Sequence, residues 1–98
     1  MSRVSVKRRL TRKRERENHE YARMVWRMIR AYGRRVGEAD EVDLNEMLHT
    51  RHELEQAITD AVRGLRARGC SWAYIGRGLE CSRQAAQMRY GFVDRIND

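Results

Sequence analysis

The sequence contains no proline, and its 98 residues include only seven glycines. Since proline and glycine are the residues that interrupt helices most strongly, the chain is free to form long helices. No apolar run reaches the length that spans a bilayer, and the basic N-terminus lacks the apolar middle of a signal peptide. We therefore expect a cytoplasmic protein with about three to five helices around a modest core.

Residues for catalysis and metal binding are also scarce. The two cysteines, Cys70 and Cys81, are expected to be reduced in a chain without a secretory signal. His49 and His52 share a helical spacing, but no closely paired cysteines accompany them, so solvent-facing histidines are expected rather than a zinc site. No nucleophile–base arrangement or glycine-rich phosphate loop is present. The prediction is a protein that is not an enzyme, with no catalytic residue, no cofactor and no metal.

The charge is unevenly distributed along the chain. Residues 1–36 contain 13 basic and 3 acidic residues, a net charge of +10, whereas residues 37–62 contain 1 and 8, a net charge of −7. Residues 63–98 contain 7 and 3, a net charge of +4, which brings the total to +7. Basic surfaces attract polyanions, and phosphate neutralisation supplies most non-specific affinity for nucleic acid. Two segments of this chain therefore favour a nucleic-acid partner.

Residues 1–14 hold seven basic residues and no acidic ones. Like charges repel, and the few apolar side chains here cannot form a core, so the segment is predicted to be a disordered arm. Such an arm either contacts DNA or serves as a solvated tail. Residues 15–98 are predicted to form one helical domain.

A first helix is predicted from Glu15 to Val36. Apolar side chains recur along it with the helical period, at Tyr21, Val25, Met28, Ile29, Tyr32 and Val36. At about 100° per residue, a stripe of arginines lies roughly 180° away. That stripe is either an ordinary solvated face or a track for phosphates. Candidate phosphate contacts on this helix and the arm are Arg12, Lys13, Arg23, Arg27, Arg30 and Arg34.

A second helix is predicted from Asp43 to about Arg68. Asp43 and Glu46 have the spacing of a capping box, and Gly69 is a natural residue to end the helix. The two long helices are expected to pair in antiparallel fashion.

The segment 71–92 has the pattern of two short helices joined by a tight turn. Ser71 and Ser82 are each placed to cap a helix, and Gly76 allows the second helix to approach closely. The expected inner face comprises Ile75, Leu79, Cys81, Ala86, Tyr90 and Val93. This is the pattern of a helix-turn-helix, in which the second helix enters the major groove of DNA.

Side chains suited to reading bases remain on the outer face of the second short helix. Arginine can bond guanine bidentately, glutamine can bond adenine in the same way, and methionine can contact a thymine methyl group. The predicted base-reading residues are Arg83, Gln84, Gln87 and Met88. The predicted phosphate contacts are Ser71, Arg77, Ser82 and Arg89.

The string W-x-x-I-G-x-x-L-x-x-S-R-Q-A-A, from Trp72 to Ala86, resembles the helix-turn-helix in region 4 of bacterial sigma factors. It is similar also to a large set of small actinobacterial and actinophage DNA-binding proteins. The resemblance covers roughly residues 65–91. It implies that Arg83, Gln84 and Gln87 contact DNA bases and that the preceding helix bridges the backbone. Glu80 stands where many such motifs have glycine.

Together these patterns predict an all-α fold with two longer helices, a C-terminal helix-turn-helix and a basic N-terminal arm. The predicted function is sequence-specific binding of double-stranded DNA by a small, nucleoid-associated transcription regulator. One alternative is a protein-interaction module that contacts RNA polymerase or another regulator, and another is a non-specific nucleoid-type DNA binder. A homodimer is expected, with the apolar stripe of the first helix and Trp26 as its candidate interface.

Overall fold

The computed structural model describes the backbone of residues 3–97 and the side chains of residues 12–95. The described backbone is helical, with no strand in residues 3–97, which confirms the predicted all-α class. Residues 3–97 form five helices, α1 (Arg3–Gly37), α2 (Glu41–Ala67), α3 (Trp72–Gly78), α4 (Arg83–Tyr90) and α5 (Val93–Asn97). The chain divides into two compact units, residues 1–45 and residues 46–98. The predicted antiparallel pairing of the two long helices stays a prediction.

Helix α1 begins earlier than the sequence pattern indicated. It runs from Arg3, whereas a start at Glu15 and a disordered arm over residues 1–14 were expected. The reason is that neither glycine nor proline occurs before Gly33, and that arginine, lysine and leucine are good helix formers. Extending an existing helix costs far less than nucleating one, so the helical backbone continues through the basic segment. The first two residues of the predicted arm lie outside the described residues.

Helix α2 is capped by Asp40 and not by Asp43, so the predicted N-cap was wrong by one turn. The Oδ1 atom of Asp40 accepts hydrogen bonds from the backbone N–H groups of Val42, at 3.1 Å, and Asp43, at 3.2 Å. Asp40 is itself a favoured N-cap residue, and it follows directly on the connector after α1. Glu41 and Asp43 then fall in the first turn, where a negative charge complements the positive end of the helix dipole.

The end of α2 is fixed at Gly69, as the sequence predicted. Gly69 has a φ of 89°, a left-handed conformation that costs glycine little. Its N–H donates to the carbonyl of Arg66 at 2.9 Å, and the N–H of Cys70 donates to the carbonyl of Leu65 at 3.0 Å. This pair of hydrogen bonds is a Schellman motif, which satisfies carbonyls that the helix end leaves open. The chain thereby turns directly into α3.

The core lies among the C-terminal helices. Its buried hydrophobic side chains come from α2, α3, α4 and α5, and they are Val62, Trp72, Ile75, Ala86 and Val93. Partly buried side chains surround them: Ile58, Leu65, Cys70, Leu79, Cys81 and Tyr90. All six residues of the predicted inner face belong to this cluster. Val93 does so from a separate helix, α5, because α4 ends at Tyr90.

A polar network joins three helices over this core. Arg66 of α2 donates to Asp94 of α5 through Nε, at 2.8 Å, and through a terminal nitrogen, at 3.1 Å. The indole N–H of Trp72 donates to the same carboxylate at 3.3 Å. Arg66 also donates to the carbonyl of Cys70 at 2.9 Å, and its guanidinium carbon lies 4.8 Å from the centre of the Trp72 ring. The network therefore fixes α5, the α2–α3 connection and the buried tryptophan together.

The hydrogen bonds from Arg66 hold the pKa of Asp94 below its usual value. A lowered folded-state pKa means that the ionised carboxylate stabilises the fold. This contribution is fully present above the ordinary aspartate pKa of about 3.9. It is lost as the pH falls through the lower pKa of the folded protein.

The substitution Asp94→Asn is accordingly expected to lower the melting temperature at neutral pH and to flatten its acid dependence. Thermal unfolding followed by circular dichroism between neutral and strongly acidic pH measures both effects. The matched control is Asp60→Asn, because Asp60 forms only a surface ion pair with Arg63, three residues along the same helix. If the two variants have the same acid profile, the stabilising role of the Asp94 carboxylate is refuted.

Candidate nucleic-acid interface

Serine side chains start both short helices, as the sequence predicted. The Oγ of Ser71 accepts a hydrogen bond from the N–H of Tyr74 at 3.1 Å, at the start of α3. The Oγ of Ser82 accepts one from the N–H of Ala85 at 3.0 Å, at the start of α4. Each serine has an extended backbone, the usual conformation of an N-cap. The positions at which α3 and α4 begin are therefore set by local chemistry.

The turn between α3 and α4 repeats the pattern that ends α2. The N–H of Cys81 donates to the carbonyl of Gly76 at 2.9 Å, and the N–H of Glu80 donates to the carbonyl of Arg77 at 3.3 Å. Glu80 has a φ of 57°, so it holds the left-handed position that glycine usually occupies. Its side chain is exposed. The glutamate that departs from the sequence pattern thus stands at the one position where glycine would relieve backbone strain.

The two cysteines have equivalent places in these two turns. Cys70 follows Gly69, and Cys81 follows Glu80; each comes directly after the left-handed residue. Both are free thiols, and both pack against the core cluster. An apolar contact at this position commonly accompanies a Schellman motif. Small, weakly polar side chains therefore meet a packing requirement at both turns.

Gly76 allows α3 and α4 to come into close contact. A Cβ atom placed on Gly76 would lie 2.8 Å from the carbonyl oxygen of Cys81 and 3.1 Å from that of Ser82. Both of these are backbone atoms, so no side-chain rearrangement can make room. The predicted need for glycine at this position is confirmed. Ala86, which has no exposed surface, supplies another small residue to the core.

The outer side of α4 carries the four predicted base-reading residues. Arg83, Gln84, Gln87 and Met88 are all exposed, and Met88 is 87% exposed. At about 100° per residue they fall within one arc of roughly 140°. Ala86 and Tyr90 lie outside this arc, with Ala86 buried and Tyr90 packed against the core. The helix is therefore divided into an outer polar side and an inner packed side.

The predicted phosphate contacts are all exposed, but they do not share one face. Ser71 and Ser82 lie at helix starts, and Arg77 lies on α3. Each serine hydroxyl still has its proton to donate, since the cap uses the oxygen as an acceptor. Arg89 lies on α4 roughly 170° from the centre of the base-reading arc. Arg89 therefore lies on a different side of α4 from the predicted base-reading residues, and its phosphate contact stays a prediction.

Sequence reasoning missed Tyr74. Its side chain is 52% exposed on α3, and the guanidinium carbon of Arg77 lies 5.7 Å from the centre of its ring. A cation–π contact of this kind restricts the orientation of the arginine. The spacing of Tyr74 and Arg77 indicates this contact, because residues three apart on a helix are neighbours.

The basic candidates on α1 are exposed as well. This holds for Arg12, Lys13, Arg23, Arg27, Arg30 and Arg34. Among the described side chains, none of these six pairs with a carboxylate. The arginine stripe is therefore a strongly cationic surface of the first unit.

The histidines do not form a metal site in the described part of the chain. His49 and His52 are exposed, and the Nε2 of His52 is 3.2 Å from the Nε2 of Gln56. Among the described side chains, no three histidine, cysteine, aspartate or glutamate residues cluster in a way that would hold a metal ion. None of the helices described is both long and apolar enough to cross a bilayer.

No protein-family model, no curated protein and no solved structure matches this chain. Its function has to be inferred from its own residues and their geometry.

Substituting Gly76 with alanine is expected to destabilise the protein by about 1–3 kcal/mol, because the new methyl group meets fixed backbone atoms. Gly78 provides the matched control, since it lies in the same helix and a Cβ atom added there would have no neighbour within 4 Å. Gly78→Ala should be neutral or stabilising by up to about 1 kcal/mol. Urea unfolding of both variants measures the difference, and equal midpoints would argue against the close approach at Gly76.

Proposed function

We propose that α3, its following turn and α4 form a helix-turn-helix that binds double-stranded DNA in a sequence-specific manner. We further propose that the protein is a small transcription regulator associated with the nucleoid. The observation that carries this proposal is the division of α4. Its inner side packs on the core, while its outer side presents arginine, two glutamines and an almost fully exposed methionine. No packing role accounts for that outer set.

The outer side chains match the chemistry of base edges in the major groove. Arg83 would donate two hydrogen bonds to one guanine. Gln84 and Gln87 would each form two hydrogen bonds with an adenine. Met88 would contact the methyl group of thymine, which gives its exposed apolar surface a partner. The helix is short, so these side chains would read only a few base pairs.

Contacts to phosphates would set the register of α4 on the duplex. Ser71 and Ser82 would donate from their hydroxyl groups, and Arg77 would approach the backbone with its orientation restricted by Tyr74. The exposed arginines of α1 would add non-specific affinity through counterion release. On this proposal α4 supplies specificity and the arginines supply most of the salt-dependent affinity.

The experiment begins with selection of bound fragments from random duplex DNA. Binding of the selected duplex and of a scrambled duplex is then measured by fluorescence anisotropy over a series of salt concentrations. Each of Arg83→Ala, Gln84→Ala and Gln87→Ala should cost about 1–3 kcal/mol in the preference for the selected duplex. Arg77→Ala should weaken binding to both duplexes alike and reduce the slope of affinity against salt.

Arg95→Ala is the matched control, since Arg95 is an exposed arginine of α5 outside the proposed surface. It should leave the preference between the two duplexes unchanged. Intact preference in the triple variant of Arg83, Gln84 and Gln87 would contradict the assignment of α4. A protein that binds the selected and scrambled duplexes equally well, and that loses this binding when residues 1–14 are deleted, would instead be a non-specific nucleoid-type binder. Absence of DNA binding would favour a protein-interaction module, with RNA polymerase as a partner to test.

A further inference from the structure

Helix α1 exposes an apolar stripe along one side. Tyr21 is 65% exposed and Met28 is 63% exposed, and the stripe continues through Val25, Ile29 and Tyr32. These residues recur at helical spacing, so they form one continuous surface and not scattered single side chains. A contiguous apolar surface of this kind marks a site of interaction with another molecule.

The acidic residues of α1 are confined to a short part of its length. Its acidic residues all lie toward the N-terminal side of the stripe, at Glu15, Glu17 and Glu20. Beyond Tyr21 every charged residue of the helix is an arginine: Arg23, Arg27, Arg30, Arg34 and Arg35. A second copy of α1 running in the opposite direction would bring Glu17 and Glu20 level with residues 33–36, the segment that holds Arg34 and Arg35. A parallel copy would instead set these acidic residues against each other and the arginines beyond Tyr21 against each other.

Glu17 and Arg35 mark the same edge of the apolar stripe. They are 18 residues apart, which is about five helical turns, so they lie at nearly the same angle around the helix. Both side chains are exposed. Within one chain they are separated by about 27 Å along the continuous helix, at about 1.5 Å per residue. They cannot form an ion pair in the same chain.

We propose that the apolar stripe of α1 binds a second copy of α1 in antiparallel orientation, forming a two-fold symmetric dimer. The two-fold axis crosses the helix pair at the level of residues 26 and 27. Tyr21 then faces Tyr32 of the second copy, and Val25 faces Met28 of the second copy. Glu17 then lies beside Arg35 of the second copy, and two-fold symmetry repeats each contact. We call this contact between the two apolar stripes the seam. Trp26 lies outside the stripe on the helix surface, so it is not at the centre of the interface.

This inference goes beyond the proposed function, because the dimer forms without DNA. Its test is likewise made on the full chain in the absence of DNA, so its outcome does not depend on whether α4 reads bases. Sedimentation equilibrium over a range of protein concentrations gives the dimer dissociation constant directly. Circular dichroism of each variant verifies that the helical content is unchanged.

The test exchanges the charges of Glu17 and Arg35, which face each other across the seam. Either Glu17→Arg or Arg35→Glu should raise the dimer dissociation constant by about tenfold or more, because two attractive pairs become two repulsive ones. The double variant should return to within about threefold of the original value, since each pair is restored with its charges reversed. Arg34→Glu is the matched control, because it makes the same change of charge one residue away but outside the seam. It should alter the dissociation constant by no more than about twofold.

Two results would overturn the proposal. The first is a protein that stays monomeric at tens of micromolar, which would mean that no second copy covers the stripe. The second is a double variant that associates as weakly as the single ones. That outcome would fit a parallel dimer or a different surface, because Glu17 and Arg35 would then not face each other.

Discussion

The structure of the C-terminal unit depends on one carboxylate. Asp94 receives two hydrogen bonds from Arg66 and one from the indole of Trp72, and so connects residues from α2, α3 and α5. In the described part of the chain, only five hydrophobic side chains are buried. In so small a core, a polar network that fixes three helices has a large share in specifying one arrangement. Trp72 is the largest of the buried side chains, and its indole N–H also donates to Asp94. The same residue therefore contributes both apolar packing and a polar contact.

The position of α4 follows from this arrangement. The helix lies in the chain between α3 and α5, and the network holds residues of both. Helix α4 contacts the core through Ala86 and Tyr90, and the backbone at its start lies close to Gly76 of α3. Because these contacts occupy only the inner side, the long polar side chains on the outer side have no structural task. Stability and the proposed recognition are thereby assigned to different sides of the same eight-residue helix.

Most of what the sequence predicted correctly is determined locally. The caps at Ser71 and Ser82 and the helix end at Gly69 depend on residues within a few positions of each other. The inner faces of α3 and α4 follow from the helical period. One feature that the sequence pattern does not indicate depends on a contact distant in sequence: Asp94 is 28 residues from Arg66, and no periodicity reveals that pair.

At the candidate site, too, some features could be predicted from the sequence and others could not. The exposure of Arg83, Gln84, Gln87 and Met88 could be predicted because it is the complement of the packed face of α4. Asp40 caps α2 although Asp43 and Glu46 match the spacing of a capping box. Arg89 lies on another side of α4, and its phosphate contact stays a prediction. Helix α1 begins at Arg3, where uninterrupted helix propensity extends the helix into the basic segment.

The central claim is that the outer side of α4 contacts DNA while the core beneath it stays intact. Titration of isotope-labelled protein with the selected duplex, followed by NMR, tests this most directly. The largest chemical-shift changes are expected at the backbone amides of residues 82–88, with only a small change at the buried Trp72 indole N–H. Changes concentrated in α2 or α5, with α4 unaffected, would contradict the claim.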